Sequence, residues 1–344
     1  MKTVIIGSGS WGTALAQTLV DNKEDAVIYG IDVDEIVDID RYHQNSKYFG
    51  DLLLNYDLHA TNNPEVIKDA DIVVLSVPSG SIGPICQQLN DLIDHQVIIV
   101  NTAKGFHPDS HRRLSEVISE NLDPTKVSAI VTLIGPSHSE EVVQRMLTTI
   151  NAVSDNHQAA QKIQQLFSND YFRVYTSDDV IGSEVGVALK NVIAIASGIL
   201  AGLEIAGDNA KAALMTRGLA EIVRYGLFKG GKLETFLGLT GIGDLIVTCT
   251  SEHSRNYQAG YQIGKFDSAK YFWDNNTKTV EGVMACKVVY QDAQENGLDL
   301  PIVQQIYKVL FENGKPSQAI EELMHRELKT EKLAFYLDKQ GEKQ

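Results

Sequence analysis

The sequence predicts an α/β fold in which an N-terminal, mostly parallel sheet is followed by a mostly α-helical C-terminal domain. In the first half of the chain, short runs rich in Val and Ile alternate with amphipathic helical stretches. Nearly continuous apolar strands separated by helices are typical of a parallel sheet covered on both faces. From Val180 onward, apolar residues recur mostly at helical spacing and strand-like runs become scarce.

The predicted elements follow in chain order. Short, β-branched runs predict strands at Val4–Ile6, Ala26–Ile31, Ile72–Val77, Val97–Val100, Ala129–Ile134, Thr149–Val153 and Phe172–Tyr175. Helical periodicity predicts helices at Thr13–Asp21, Ile82–Leu92, His111–Glu120 and about His157–Phe167. Asp178 or Asp179 is a candidate N-cap for the next helix. We therefore expect one domain over residues 1–178 and a second over residues 179–344.

The charge balance limits the classes of partner. The 344 residues include 30 Lys and Arg against 45 Asp and Glu, for a formal net charge of −15. A surface this acidic argues against binding to nucleic acid or to an anionic membrane. If the substrate is itself an anion, positive charge has to be concentrated at one place against this overall field.

The cysteines and the apolar runs bear on location. Cys86, Cys249 and Cys286 are far apart and form no CxxC pair, which favours free thiols in a reducing compartment. The N-terminus enters a strand-like run at once, leaving no room for a signal peptide. The most hydrophobic stretch, Val192–Leu203, is shorter than the roughly 20 residues a bilayer span needs. We expect a cytoplasmic protein without a membrane span.

Two broad classes of site receive no support. The nine histidines show no pairing at metal-ligand spacing within one helix. No G-x-S-x-G nucleophile elbow occurs. The sequence therefore argues against a metal centre and against a serine hydrolase, and we expect no metal.

The strongest local motif is glycine-rich. Gly7, Gly9 and Gly12 form G-x-G-x-x-G between the first predicted strand and the first predicted helix, the context of a Rossmann-type dinucleotide site. The first glycine makes a tight turn, the second admits a pyrophosphate, and the third lets the helix pack on the strand. The helix N-terminus adds partial positive charge. The motif predicts dinucleotide binding.

The acid expected about 20 residues after this motif is Asp32, at the end of the second predicted strand. A carboxylate there bonds the ribose 2′-hydroxyl of NAD and repels the 2′-phosphate of NADP. Ile31 offers no positive charge, although Arg41 or Lys47 could reach in from the next segment. A solvated strand-end Asp is the plain alternative. The sequence favours NAD and leaves NADP open.

Further candidates follow the later strands. Ligands in open α/β sheets bind outside the carboxyl ends of the strands. Lys104 lies after the fourth predicted strand, where it could fix an anion or polarise a carbonyl, or could be an ordinary solvated turn residue. Gly135-Pro136-Ser137-His138-Ser139 ends the next strand and begins a helix, which supplies free N–H donors.

The helical half contains three candidate groups. Lys190 stands in an apolar, small-residue-rich helix, so it is either snorkelling or buried with a lowered pKa suited to proton transfer. Its neighbour Asn191 could bond a substrate hydroxyl or face solvent. Asp244 lies amid Gly and apolar residues and could equally be a helix N-cap. The next group is Ser254, Arg255 and Asn256, donors suited to a phosphate or an ordinary loop.

Taken together, these segments identify a family resemblance. In order they are GSGSWGTALA, SVPS, the AKG around Lys104, GPSHSEE, GVALKNVIAIASG, GIGDLIVTCTSEHSRN and TVEGV. They resemble the NAD(P)-dependent glycerol-3-phosphate dehydrogenase family of the soluble bacterial type, over nearly the whole chain. The GIGDLIVTC segment followed by HSRN is specific to it.

The resemblance implies a reaction, a cofactor and roles for named residues. The reaction is reversible hydride transfer from NADH or NADPH to dihydroxyacetone phosphate, giving sn-glycerol 3-phosphate for glycerophospholipid synthesis. The implied catalytic residues are Lys190 as proton donor and acceptor, Lys104 and Asp244. Implied cofactor contacts are Gly7, Gly9, Ser10, Trp11, Gly12, Asp32, Lys104, Ser139, Arg255, Thr279 and Glu281. Implied substrate contacts are Lys104, Gly135, Ser137, Lys190, Asn191, Asp244, Ser254, Arg255 and Asn256. A homodimer is also implied.

Two alternatives remain open on the sequence. One is a different β-hydroxyacid-type dehydrogenase of the same architecture, 6-phosphogluconate-like or ketopantoate-like, although these lack HSRN after GIGDL. The other is a non-catalytic NAD-sensing protein. Intact Lys104, Lys190, Asp244 and Arg255 argue against the second.

Overall fold

The computed structural model describes residues 1–205, 207–328 and 330–331. It divides into two compact units. The first comprises Met1–Ala103 and His107–Val180, and the second comprises Lys104–Phe106 and the described residues from Ile181 onward. A three-residue segment from the middle of the N-terminal half therefore belongs with the C-terminal half.

The first unit contains a sheet that has eight strands within the described residues, in the order β3-β2-β1-β4-β5-β6-β7-β8. The strands are β1 Lys2–Ile6, β2 Asp25–Tyr29, β3 His59–Thr61, β4 Ile72–Leu75, β5 Val97–Asn101, β6 Val127–Ile134, β7 Thr148–Val153 and β8 Phe172–Ser177. The helices are α1 Ser10–Asp21, α2 Val33–Tyr42, α3 Ser46–Phe49, α4 Ile82–Leu92, α5 Leu114–Asn121, α6 Ser139–Val142 and α7 His157–Phe167. Every neighbouring pair is parallel except β6 and β7.

The central strands are buried on both faces, which explains their continuous apolar runs. In β1, Ile5 packs into one core with Leu15 of α1, while Val4 and Ile6 pack into the other core with Ile82 of α4. Alternate side chains of a strand point to opposite faces, so one strand serves both cores. The predicted Rossmann-type, mostly parallel sheet is confirmed.

The sequence missed several short or exposed elements. β3, α2 and α3 were not predicted. In β3 only Ala60 is buried, so no apolar run marks it. The predicted strands Ala26–Ile31 and Ile72–Val77 each end two residues early, at Tyr29 and Leu75. The chain turns there to present polar loops at the carboxyl edge of the sheet.

The second unit is helical, as predicted. Its helices are α8 Val180–Gly202, α9 Asp208–Phe228, α10 Leu233–Phe236, α11 Asp244–Thr250, α12 Arg255–Lys265, α13 Lys270–Asn275, α14 Glu281–Asn296, α15 Pro301–Phe311 and α16 Pro316–Met324. The apolar core is centred on α8, whose residues Val185–Ile199 are buried along the whole length.

Helices α8 and α12 approach unusually closely because glycines line both surfaces. A Cβ on Gly198 of α8 would lie 2.0 Å from the carbonyl oxygen of Tyr257, and one on Gly260 of α12 would lie 2.0 Å from that of Ile195. Any side chain at either position would force the helices apart. This contact brings the start of α12 beside the middle of α8.

Two helical stretches are long and apolar enough to cross a bilayer by length and composition. They are Val180–Gly202, with mean hydropathy 1.8, and Leu233–Thr250, with mean hydropathy 1.3. In the first, 83% of the apolar window is buried by protein, so α8 is the core helix of its unit. The second contains a π-helical turn at Leu239–Gly243.

Candidate active site

The glycine-rich loop lies in the first unit, between β1 and α1. β1 ends at Ile6 and α1 begins at Ser10 with Gly9 as its N-cap, three residues earlier than predicted. Gly7 has φ +116°, and a Cβ there would lie 2.3 Å from the carbonyl oxygen of Ser76. Both constraints require glycine in this turn.

The other two glycines also match their expected roles. A Cβ on Gly12 would lie 2.1 Å from the carbonyl oxygen of Gly7, so only glycine lets α1 pack this closely on the loop. A Cβ on Gly9 would meet no atom within 4 Å, which leaves the backbone open to a ligand. Trp11 carries a buried indole N–H that has no hydrogen-bond partner within the described residues. The loop therefore fits a dinucleotide pyrophosphate at a helix N-terminus.

Asp32 lies after β2, as predicted, and its carboxylate begins α2. Its side chain accepts hydrogen bonds from the backbone N–H groups of Asp34 and Glu35, at 3.1 and 3.3 Å. The hydrogen bond from Glu35 N–H contributes most to lowering the pKa of Asp32. Lys47 Nζ lies 3.4 Å from Asp32 Oδ2. The carboxylate is thus charged, and it lies beyond the carboxyl end of β2, the strand that pairs with β1.

In the loop after β6, the helix begins later than the predicted segment Gly135–Ser139 suggested. α6 begins at Ser139, with His138 as N-cap, so Ser137 lies before the helix and does not start it. Ser137 Oγ donates to the carbonyl oxygen of Gly135 at 3.1 Å. Ser139 Oγ donates to Glu140 at 3.1 Å. The three predicted residues Gly135, Ser137 and Ser139 lie together in one turn at the carboxyl end of β6.

The second unit contains the predicted lysines. Phe106 is 2% exposed and packs in the helical core, which anchors the segment Lys104–Phe106 there. Lys104 Nζ lies 3.3 Å from Asp244 Oδ2. A Cβ on Gly105 would lie 2.7 Å from Glu281 Oε2, so the first residue of α14 lies against this segment. The lysine that follows β5 in sequence therefore belongs to the helical unit in space.

Lys190 is buried at the centre of a small polar cluster. Its Nζ lies 2.7 Å from Asp244 Oδ1 and donates to Thr248 Oγ1 at 2.6 Å. The Thr248 hydroxyl in turn donates to the backbone oxygen of Asp244 at 2.6 Å. Asp244 is 1% exposed, and its Oδ2 accepts no hydrogen bond within the described residues. Lys190 thus lies against Oδ1 and Lys104 lies near Oδ2 of the same carboxylate, and Oδ2 can still accept a hydrogen bond from a ligand.

The surroundings of Lys190 change its acidity. Burial lowers the pKa of Lys190 to about 8. The carboxylate of Asp244 opposes this effect, and the ammonium of Lys104 adds to it. Of the two states left open by the sequence, the structure shows the buried one. A lysine titrating near neutral pH can both give and take a proton.

An amide chain joins three elements of the same unit. Asn191 Nδ2 donates to the carbonyl oxygen of Lys104 at 3.3 Å. Asn256 Nδ2 donates to Asn191 Oδ1 at 2.9 Å, and Gly282 N donates to Asn256 Oδ1 at 2.9 Å. Each amide nitrogen keeps one N–H beyond these bonds. The two asparagines therefore hold Lys104 in place and can still offer a donor to a ligand.

The predicted phosphate group Ser254, Arg255 and Asn256 forms the N-terminus of α12. Ser254 is the N-cap, and its Oγ accepts from Tyr257 N at 3.2 Å. Arg255 is exposed, and its side chain makes no hydrogen bond or ion pair with the part of the chain that the structure describes. Thr279 is also exposed, just before α14. A free guanidinium at a helix N-terminus suits an anionic ligand.

Three residues that hold candidate site residues or the glycine-rich loop in place, Thr248, Ser8 and Glu35, were not predicted. Thr248 stands four residues after Asp244, on the same face of α11, and this spacing was the available signal. Ser8 Oγ donates to Glu35 Oε2 at 2.5 Å. No sequence pattern marks that pair, because the residues are 27 positions apart.

Within the described residues, no group of three or more His, Cys, Asp and Glu side chains could hold a metal ion.

Comparison with known families decides the classification. Residues 2–160 match the family described as NAD-dependent glycerol-3-phosphate dehydrogenase N-terminus, and residues 179–321 match the corresponding C-terminus. The chain belongs to the NAD-dependent glycerol-3-phosphate dehydrogenase family. The predicted family and the prediction of an NAD(P)-dependent oxidoreductase are confirmed.

Individual members of this family are similar over almost the full length. A glycerol-3-phosphate dehydrogenase [NAD(P)+] from Listeria innocua is 47% identical over 97% of this chain and 99% of its own. The crystal structure of a glycerol-3-phosphate dehydrogenase from Coxiella burnetii is 32% identical, with a TM-score of 0.87 over 94% of this chain and 99% of its own.

The ketopantoate-like alternative shares only the fold. A ketopantoate reductase from Ralstonia eutropha is 12% identical, with a TM-score of 0.56 over 94% of this chain and 100% of its own. That likeness reflects a common two-part architecture. The family match therefore favours the glycerol-3-phosphate dehydrogenase reading over this alternative.

Proposed function

We propose that this chain catalyses the reversible reduction of dihydroxyacetone phosphate to sn-glycerol 3-phosphate with NADH or NADPH, supplying glycerophospholipid synthesis. The observation that carries the proposal is the buried Lys190 ammonium, bonded to Asp244 and Thr248, in a chain of this family. The bound nicotinamide supplies the hydride.

Lys190 acts at the oxygen of the substrate carbonyl. Reduction of a ketone builds negative charge on that oxygen, which a nearby ammonium stabilises and then protonates. In the reverse direction the neutral amine accepts the proton from the alcohol. Its lowered pKa keeps both forms populated near neutral pH. Thr248 and Asp244 hold the amine in one position, because both bond Nζ.

The remaining predicted contacts divide between substrate and cofactor. Lys104, Asn191 and Asp244 orient the substrate oxygens, and Ser254, Arg255 and Asn256 bind its phosphate as a helix N-terminus with a free guanidinium. Gly135 and Ser137 also contact substrate. The residues that hold the cofactor are Gly7, Gly9, Ser10, Trp11, Gly12, Asp32, Lys104, Ser139, Arg255, Thr279 and Glu281.

The organisation and setting follow the same proposal. Residues 1–178 bind the dinucleotide, and residues 179–344 bind substrate and carry the proton donor. The boundary stays a prediction; the first compact unit ends at Val180, two residues later, and Lys104–Phe106 belongs to the second unit. The protein acts in the cytoplasm as a homodimer. Analytical ultracentrifugation of the purified chain tests the oligomeric state.

The activity is tested by mixing the purified protein with dihydroxyacetone phosphate and either NADH or NADPH. We expect substrate-dependent loss of the absorbance of the reduced nicotinamide. Absence of turnover with both cofactors contradicts the proposal.

The proton-transfer role is tested with Lys190→Met. Because the variant cannot protonate the alkoxide, turnover should fall by about a thousandfold or more, while NADH affinity in a calorimetric titration stays within about twofold. Lys229→Met is the matched control and should retain activity, because it removes a lysine just after α9 that pairs with Asp292 of α14. A Lys190→Met enzyme with wild-type turnover would remove Lys190 from the mechanism.

A further inference from the structure

Three charged groups, Asp32, Glu35 and Lys47, lie together beyond the carboxyl end of β2 and form a charged triad. Lys47 Nζ lies 2.5 Å from Glu35 Oε1 and 3.4 Å from Asp32 Oδ2. The other oxygen of Glu35 accepts a hydrogen bond from Ser8 Oγ in the glycine-rich loop. Glu35 is 8% exposed, whereas the Lys47 side chain is 58% exposed. A buried carboxylate therefore holds an exposed ammonium beside the acid expected at the cofactor ribose.

The charge of this triad bears on the choice between the two nicotinamide cofactors. NADP differs from NAD by a phosphate on the adenosine 2′-hydroxyl, and the acid after β2 is the group that reads this position. One ammonium against two carboxylates leaves the triad with net charge −1. The ion pair with Glu35 raises the pKa of Lys47, so the ammonium stays charged.

We propose that Glu35 is a specificity-determining residue, which makes the enzyme prefer NAD(H) to NADP(H) by keeping the Lys47 ammonium from a 2′-phosphate. The inference rests on the proposed function, since it concerns the cofactor of that reaction. To pair with a 2′-phosphate, Lys47 has to leave Glu35. The departure exposes a phosphate to Asp32 and leaves a buried carboxylate without its cation, and both changes oppose NADP(H) binding.

The surrounding charges reinforce this preference. A cavity of about 470 Å³ is lined by this triad together with Asp34 and Asp38. Asp38 Oδ2 accepts hydrogen bonds from the backbone N–H and the hydroxyl of Ser46, both at 2.7 Å. That carboxylate is held in place by the first residue of α3. A dianionic phosphate entering this cavity meets mostly negative charge, whereas a ribose hydroxyl meets hydrogen-bond acceptors.

Glu35→Gln isolates the effect. The amide oxygen can still accept from Ser8 Oγ, so the bond to the glycine-rich loop is retained. The amide N–H₂ cannot accept from Lys47, which is therefore released toward Asp32 and the cavity. The triad becomes neutral. We expect the dissociation constant for NADPH to fall about fivefold or more, and that for NADH to change less than about twofold.

The test is calorimetric titration of the purified full-length protein with NADH and NADPH in the absence of substrate. Glu24→Gln is the matched control, because it removes the same charge at the amino end of β2, and its affinity ratio should equal that of the wild type. Adding Lys47→Met to Glu35→Gln should abolish the gain in NADPH affinity, since no ammonium is then available to the phosphate.

The outcomes separate the two proposals. The inference is supported if the wild type binds NADH more tightly than NADPH and the ratio of the two dissociation constants becomes smaller in Glu35→Gln. Adding Lys47→Met to Glu35→Gln should then restore the wild-type ratio. A ratio unchanged in Glu35→Gln, or a wild type that prefers NADPH, overturns the inference and leaves the proposed function intact. A wild type that binds neither dinucleotide overturns the proposed function itself.

Discussion

Lys190 shows how one residue acquires its chemistry from its neighbours. The side chain is 4% exposed, so its ammonium has lost most of its hydration. The carboxylate of Asp244 compensates at 2.7 Å, and the hydroxyl of Thr248 supplies the second bond. Burial still dominates and lowers the pKa of Lys190 to about 8. The group is thus acidic enough to donate a proton and basic enough to take it back.

This balance predicts opposite pH profiles for the two directions of the reaction. Reduction needs protonated Lys190, so its kcat/KM should fall as pH rises above about 8, and oxidation should rise over the same range. Because Asp244 raises the pKa of Lys190, Asp244→Asn should move both limbs to lower pH. Initial rates across a pH series measure both effects.

Asp274→Asn on α13 is the control for this series, since it removes an exposed carboxylate that pairs with Lys270. Its profile should coincide with that of the wild type. Limbs that stay in place in Asp244→Asn would contradict the assignment of the titrating group to Lys190.

Individual residues show which parts of the site can be predicted from the sequence and which cannot. Lys190 and Asp244 were predicted by motif, because each stands alone among apolar residues and is conspicuous there. The state of Lys190 was left open, because burial depends on helices that pack around α8 from elsewhere in the chain. Glu35 was not predicted, because its partners Ser8 and Lys47 lie 27 and 12 positions away in sequence.

At the scale of the element, strand β8 shows how an exposed sheet edge is protected. β8 is the last strand of the sheet. Val174 N donates to Ser168 Oγ at 3.2 Å, and its carbonyl oxygen accepts from Gln164 Nε2 at 2.8 Å. Phe172 N donates to Asn169 Oδ1 at 2.7 Å, and the carbonyl oxygen of Phe172 accepts from the backbone N–H of Asn169 at 2.8 Å. Unpaired edges are templates for association, and these hydrogen bonds satisfy the edge at Phe172 and Val174.

Removing the edge bonds should therefore promote self-association. In a Gln164→Ala/Ser168→Ala variant, both backbone groups of Val174 lose their partners, and the free energy of unfolding should fall by about 1–2 kcal/mol. Urea titration measures the stability, and light scattering during heating measures the association. Gln165→Ala, at an exposed neighbour on α7, should change neither. A double variant indistinguishable from it would show that the edge needs no such protection.

At the scale of the whole molecule, the segment Lys104–Phe106 breaks the simple order of the two units. It follows β5 of the first unit and belongs with the helices of the second. Phe106 is buried in their core, and Asn191 bonds the carbonyl oxygen of Lys104. The predicted division at residue 178 contained no such exception, because a local reading assigns a segment to the domain on either side of it.

Phe106→Ala tests this anchoring role. Loss of a buried aromatic ring should lower the free energy of unfolding by about 3–5 kcal/mol. The displaced Lys104 should lower kcat, normalised to folded protein, by about tenfold or more. Phe167→Ala removes a ring of equal size from the core of the first unit and should destabilise without this loss of kcat. Equal kcat values in the two folded variants would contradict the anchoring.

The net charge of −15 acquires a local counterpart in the second unit. Lys104 and Lys190 both lie within ion-pair distance of the Asp244 carboxylate, which brings two ammonium groups close together. Arg255, whose side chain has no ion-pair partner among the described residues, begins α12 in the same unit. An acidic protein can therefore bind a phosphorylated substrate, because short-range interactions at low dielectric outweigh a screened overall field.

The sequence by itself determined the alternation of strands and helices, the glycine-rich turn, the helical second half and the family. These follow from short-range patterns: apolar periodicity, glycines at fixed spacing and contiguous motifs. Only the tertiary structure decided that Lys104 joins the helical unit, that Lys190 is buried against Asp244 and Thr248, and that Glu35 holds Lys47. The reason is physical. Burial and ion pairing arise between residues far apart in the chain, and no local pattern encodes which of them meet.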